Sequence, residues 1–364
     1  MLSTELQSGW PFAHTRAWER ILRSIQREMS GPDATCAPVW AQALAATQLK
    51  DCEIRTRLVS RDSQIVAIAP TFMRSSGRFP LRKRELRLVT EAHAGRTALL
   101  AENNDPEIVR ALLSSMLRES PAWDVFVLSV VAGSPGQTAV VDAAGKLGLP
   151  VRCLARQDSP YIQLPATWDA LLAALPKKMR WTIRKGEKDL MALGALTYEE
   201  MAAPADVPRL LAAIYAIEQQ SWKEQSGTSI TAQDAQRAFY ESFVELAAQA
   251  GILSAHVLSV AGKPVAYILG IAAGDGVFLD QKESFDLAFS EYSPGHVLKR
   301  YAIQTLLARG VRLYDLMGVC EPYKMRWTDK TYTRLTLALF NNTLGGRLSY
   351  VRALLGRVSK PLSA

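Results

Sequence analysis

The stretch from Ile252 to Met317 constrains this chain more than any other. Three apolar runs, Ile252–Val260, Pro264–Ala273 and Val277–Lys282, are separated by Ala261-Gly262 and Gly274-Asp275-Gly276. Short β-prone runs joined by such turns predict antiparallel hairpins. The period then changes. Ser293-Pro294-Gly295 opens a helical run, His296–Arg309, which Gly310 stops, and a strand follows over Val311–Met317. A meander followed by one helix and one further strand makes a mixed sheet, not an alternating βαβ chain. No G-x-G-x-x-G or G-x-x-x-x-G-K-[ST] opens a helix, which argues against dinucleotide and P-loop chemistry. Ser-Pro-Gly at a helix start predicts a capped end with several free N–H groups, where the helix dipole favours an anion.

The first half repeats the order. Trp18, Ile21, Leu22 and Ile25 predict a helix, a second follows Pro38, and strands are expected over Glu53–Ser60, Ile65–Met73 and Arg82–Val89. A helix from Pro106, a strand over Asp124–Val130 and another helix come next. Strands are then expected at Val151–Ala155 and Tyr161–Leu164, with the division between halves between them. The expected fold is α/β, mixed α+β, with two similar domains, 1–160 and 161–345, each a mostly antiparallel sheet flanked by helices. A basic segment, 346–364, closes the chain. At 364 residues, two domains are a natural reading.

Four cysteines are scattered without metal-ligand spacing, and four histidines do not cluster with them, so no metal site is expected. No apolar run is long enough to cross a bilayer and no signal segment is visible, so a cytoplasmic location is expected. The formal net charge of +8 suits an anionic partner without choosing among a nucleotide-bearing cofactor, nucleic acid and an anionic membrane. The C-terminal segment has Leu348, Val351, Leu355 and Val358 on one side and Arg347, Arg352, Arg357 and Lys360 elsewhere. It is expected to pack on the second domain, with peripheral membrane contact as the other reading.

Several stretches resemble one family. LPKKMRWTIRKGEKDLMALG, Ser221-Trp222-Lys223, Asp286 with the following Tyr-Ser-Pro-Gly-His, and Tyr314-Asp315-Leu316-Met317-Gly318 with Glu321-Pro322-Tyr323-Lys324 are similar to motifs of CelD-like acetyltransferases. These are tandem-GNAT proteins related to the FemAB-type transferases. The likeness covers about Leu164–Trp327; earlier residues match only in pattern. The Q/R-x-x-G-x-G/A phosphate loop of ordinary GNAT enzymes is absent, and Glu291–Gly295 stands in its place.

The resemblance implies an acyltransferase moving an acyl group from acetyl-CoA or another acyl-CoA to an amine, or a hydroxyl, of a sugar, amino acid or polysaccharide precursor. The coenzyme A pyrophosphate is expected on Ser293, Pro294, Gly295, His296 and Val297. A carboxylate base is expected among Asp280, Glu283 and Asp286, with Asp286 first by motif and with Asp315 as a further candidate. Tyr323 is the candidate acid for the departing thiolate. Arg180, Trp181, Trp222, Lys223 and Lys324 are expected to contact substrate. The ordinary reading of the basic helix is a solvated face. Two alternatives stay open: a FemAB-type transferase using aminoacyl-tRNA, and a GNAT-fold binding protein without chemistry. No DNA partner is expected.

Overall fold

A computed structural model describes residues 1–26, 29, 31–77, 82–89, 95–221, 227, 230, 233–272 and 276–355. The strands are β1 (Leu2–Ser8), β2 (Ile54–Arg61), β3 (Gln64–Ser76), β4 (Lys83–Leu88), β5 (Leu100–Ala101), β6 (Val125–Val131), β7 (Val151–Gln163), β8 (Leu196–Met201), β9 (Leu253–Val260), β10 (Lys263–Ala272), β11 (Val277–Phe285), β12 (Leu313–Asp315) and β13 (Thr331–Phe340). The helices are α1 (Thr15–Ile25), α2 (Pro38–Ala46), α3 (Pro106–Leu117), α4 (Pro135–Lys146), α5 (Trp168–Ala174), α6 (Lys177–Leu193), α7 (Val207–Glu218), α8 (Asp234–Gln249), α9 (Pro294–Ala308) and α10 (Leu344–Leu355). This is the mixed α/β class expected from the hairpins.

The chain forms two compact units. One comprises Met1–Ala45, Leu49–Asp158 and the chain from Tyr332; the other comprises Ala46–Gln48 and Ser159–Thr331. In the first, β1, β2, β3 and β4 run antiparallel in sequence, with β5 on β3. The crossover through α3 then brings β6 parallel to β4. In the second, β8, β9, β10 and β11 form the antiparallel series, and the crossover through α9 brings β12 parallel to β11. Helices cover both faces of the second sheet. Every residue of β9 is accordingly buried, which is why LSAHVLSV shows no clean polar alternation.

Each unit is closed by one more antiparallel strand, and here the sequence expectation needs correction. β6 pairs with β13, Arg334 opposite Val131 through Phe340 opposite Val125. β12 pairs with the end of β7, Leu313 opposite Gln163. The first unit therefore takes β13, a strand expected in the second half, while the second unit takes the end of β7, where Tyr161–Leu164 was expected to belong. The physical reason lies in burial: Leu335, Leu337 and Leu339 complete the first core beside Leu112, Phe126 and Leu128. Residues 332–345, expected with the second half, belong to the first unit. So does α10, expected against the second. β7 is also one strand rather than two, so the chain passes between units inside a strand instead of in a linker. β1 was invisible in the sequence: LSTELQS is mostly exposed and has no apolar period.

Candidate active site

β11 and β12 pair over only three positions, Val277–Leu279 against Leu313–Asp315. β12 then ends, while β11 continues to Phe285, so the two parallel strands part at their C-terminal ends. Crevices at such ends are where open α/β sheets place ligands.

An irregularity on the other edge of β11 sets what faces this opening. Leu269 pairs with Lys282 but Gly270 with Asp280, so Gln281 is an extra residue. In a regular strand, residues three apart point to opposite faces. The bulge shifts that phase. Asp280 and Glu283 consequently both reach the Nζ of Lys299 on α9, at 2.6 and 2.9 Å. The Tyr314 hydroxyl donates to Asp280 at 2.8 Å, and Lys299 lies 3.3 Å from that hydroxyl. Lys299 is 1% exposed. Burial would lower its pKa, but the two carboxylates outweigh that and raise it. Burial, then the charge of Glu283, push the Asp280 carboxyl up. A single ammonium thus serves two carboxylates in a buried setting.

A cavity of about 440 Å³ opens here, with Glu283, Ser284, His296, Tyr323 and Arg326 among its walls and Ser290, Ser293 and Gly295 on the helix side. Glu283 lines it; Asp280 lies behind. Burial, with Glu283 and Glu321 nearby, holds the Tyr323 phenol well above its ordinary pKa, so it stays protonated. Burial, then Lys299, push His296 down to about 4. The His296 Nδ1 accepts from the Trp327 indole N–H at 3.1 Å. The neutral ring must therefore carry its proton on Nε2, a donor rather than a base.

The start of α9 differs from the expected cap. Ser293 has left-handed dihedrals, φ 52° and ψ 51°, and its hydroxyl caps nothing. Its carbonyl instead accepts from the N–H groups of His296 at 3.0 Å and Val297 at 3.3 Å. Pro294 has no N–H. Of the several free donors expected, only that of Gly295 makes no hydrogen bond among the described residues. A Cβ on Gly295 would meet only Phe285, at 3.8 Å, so the space beside this N–H is open. With Arg326 on the same cavity, one backbone donor and one guanidinium are available to an anionic group. Pro294 and Val297 are buried and serve packing.

The remaining candidates separate. Asp286, placed first as base, caps the 3-10 turn Leu287–Tyr292 by accepting from the Ala288 N–H at 2.9 Å and pairs with Lys263 at 2.6 Å. It is not on the cavity wall; its motif position has a structural use. Asp315 is buried and accepts from the Met317 N–H at 2.8 Å, while Lys324 donates to the Met317 carbonyl at 3.1 Å and pairs with Glu321 at 3.0 Å. Both brace the turn, where Met317 has φ 50°, that delivers Tyr323. Arg180 donates to the Ala173 carbonyl at 3.0 Å. Trp181 is 60% exposed on α6. Trp222 and Lys223 lie outside the described residues. Among the described residues no group of His, Cys, Asp and Glu is arranged to hold a metal ion, and no helix is long and apolar enough to cross a membrane.

Sequence reading missed Lys299 altogether, although Lys299, Ala302, Ile303 and Leu306 share one buried face of α9. It ranked Glu283 behind Asp286 because the bulge at Gln281 leaves no mark in residue type.

Residues 177–325 match the family model described as an acetyltransferase (GNAT) domain. No curated protein matches the sequence significantly. Among solved structures, FemX is similar over 96% of this chain and 100% of its own, with a TM-score of 0.62 and 12% identity. The C-terminal domain of a putative lysylphosphatidylglycerol synthetase from Agrobacterium fabrum is similar over 94% and 96%, with TM-score 0.54 and 14% identity. A tandem GNAT protein from the clavulanic acid biosynthesis pathway is similar over 93% and 98%, with TM-score 0.53 and 13% identity. At these identities the likeness is one of fold.

Proposed function

We propose, from the match of residues 177–325 to the acetyltransferase (GNAT) domain model and the likeness of fold to a tandem GNAT protein, that this protein transfers an acyl group from acyl-CoA to an amine, or less readily a hydroxyl, of a sugar, amino acid or polysaccharide precursor. One observation carries the reading: Glu283 and Tyr323 face the same cavity where β11 and β12 part.

When bound, an acyl thioester supplies an electrophilic carbonyl and a thiolate leaving group. Glu283 is the base. Proton uptake there leaves one carboxylate for one ammonium at Lys299, which removes the excess negative charge and makes the transfer favourable. Tyr323, held protonated, can donate a hydrogen bond to a departing thiolate. The Nε2–H of His296 is a fixed dipole on the cavity wall and suits stabilisation of developing negative charge. The Gly295 N–H and Arg326 are the groups available to hold phosphate.

A second reading, transfer from aminoacyl-tRNA, has one observation of its own. On α6 the exposed Trp181 lies between Lys177, Lys178, Arg184, Lys185 and Lys188 on one helical face, with Lys185 5.8 Å from its ring. An exposed ring among cations suits a nucleic-acid base.

Incubating the protein with radiolabelled acetyl-CoA, and separately with charged tRNA, over a panel of amino sugars and amino acids distinguishes the two. Acetyl transfer is expected. Calorimetry should show coenzyme A binding that Gly295→Asp abolishes while the far-ultraviolet circular dichroism is kept. Label transfer from neither donor, with no heat from coenzyme A, would sink both readings.

A further inference from the structure

Helix α10 in the first unit is built with two unlike sides. One side is seated. A Cβ on Gly346 would lie 2.1 Å from the Asn341 carbonyl oxygen and 2.8 Å from that of Asp124, so only glycine permits this approach. Tyr350 meets Phe340 edge-on at 5.3 Å, and Ala353 joins the same cluster. The other side carries Leu344, Leu348, Val351 and Leu355, spaced by four, three and four residues, so they form one stripe. They are 76%, 43%, 48% and 81% exposed. Large apolar side chains in one exposed patch mark an interaction site.

Charge indicates what covers it. Helical geometry puts Arg347 on one flank of the stripe and Arg352 on the other, and α10 has no acidic residue. Beside Leu344 and Leu348 a groove of about 440 Å³ is walled by Arg82, Lys83, Arg84 and Arg352. Arg84 is paired with Asp124 and Lys83 with Glu85. Arg82 and Arg352 form no ion pair among the described residues. A second copy docked stripe to stripe would bring arginine against arginine with no carboxylate on either helix. An anionic bilayer answers both features, with acyl chains for the stripe and phosphates for the flanking cations.

We propose that α10 and this groove dock the protein on an anionic membrane surface, with Leu344, Leu348, Val351 and Leu355 entering the headgroup boundary and Arg82, Arg347 and Arg352 meeting lipid phosphates. The inference does not depend on the transferase reading, because these residues lie in the first unit.

The test is flotation of the full chain with vesicles of phosphatidylcholine alone, or of phosphatidylcholine with phosphatidylglycerol. Binding to the anionic vesicles only is expected, weakened by salt. The double variant Leu348→Ser, Val351→Ser should bind about tenfold less tightly or worse. Arg352→Gln should bind about fivefold less tightly. Both positions are exposed, and an unchanged thermal midpoint checks that the variants fold. The proposal is overturned by absence of wild-type flotation with anionic vesicles, by equal flotation of the double variant, or by a wild-type dimer without vesicle binding that the double variant splits into monomers.

Discussion

Glu283 and Asp286 are three residues apart, and both are carboxylates beside the parting strands, yet their surroundings differ in kind. Asp286 has each oxygen committed, to a helix-start N–H and to Lys263. Glu283 shares Lys299 with Asp280 and faces the cavity. In the acyl-transfer assay, Glu283→Gln is expected to lower kcat about a hundredfold or more with little change in KM, as loss of a general base does. Asp286→Asn should keep kcat and lower stability by about 1 kcal/mol, through loss of its charged cap. The reverse pattern would return the base to Asp286. The sequence showed that acids gather here, and that was correct as far as residue type can carry it. Which acid faces the cavity depended on Lys299 and on the pleat, and neither is local to the motif.

At the scale of elements, α6 does more than carry charge. Gly186 in its middle faces the backbone before α9: an added Cβ would lie 2.3 Å from the Tyr292 carbonyl oxygen and 3.2 Å from Val297. The glycine therefore sets how close α6 comes to the turn that starts α9 and so places Ser293, Gly295 and His296. Gly186→Ala should cost about 1–3 kcal/mol by overpacking and weaken coenzyme A binding, although no atom of residue 186 lines the cavity. Denaturant melts with calorimetry check this; an unchanged midpoint and affinity would mean the turn relaxes freely. Most elements were legible because period and turn chemistry are local: the hairpins β9 to β11, the helix after Ser-Pro-Gly and the apolar face of α1 all follow from them. The left-handed Ser293 was not, since Ser before Pro reads as a hydroxyl cap, and only the backbone hydrogen bonds from His296 and Val297 show that the carbonyl has taken that task.

For the whole molecule, the two-unit plan was visible in the repeated order of elements, but the assignment of β13 to the first unit was not. Strand pairing is long-range, and the alternating leucines of β13 do not name their partner in the sequence. A chain ended at Lys330 loses β13, leaves β6 with an open edge and removes Leu335, Leu337 and Leu339 from the first core. It is expected to aggregate on expression; limited proteolysis should cut residues 1–158 far faster than in the full chain. A soluble product with unchanged proteolysis would show that β13 is dispensable. The return of β13 to the first unit also sets a timetable for synthesis. The first residues to leave the ribosome belong to the unit that is completed last, because β6 waits roughly two hundred residues for its neighbour, about ten to forty seconds at ordinary elongation rates. Throughout that interval an apolar strand edge stands open to the cell. Partners that shield nascent chains are therefore needed more by the amino-terminal half of this protein than by the half that holds the proposed site.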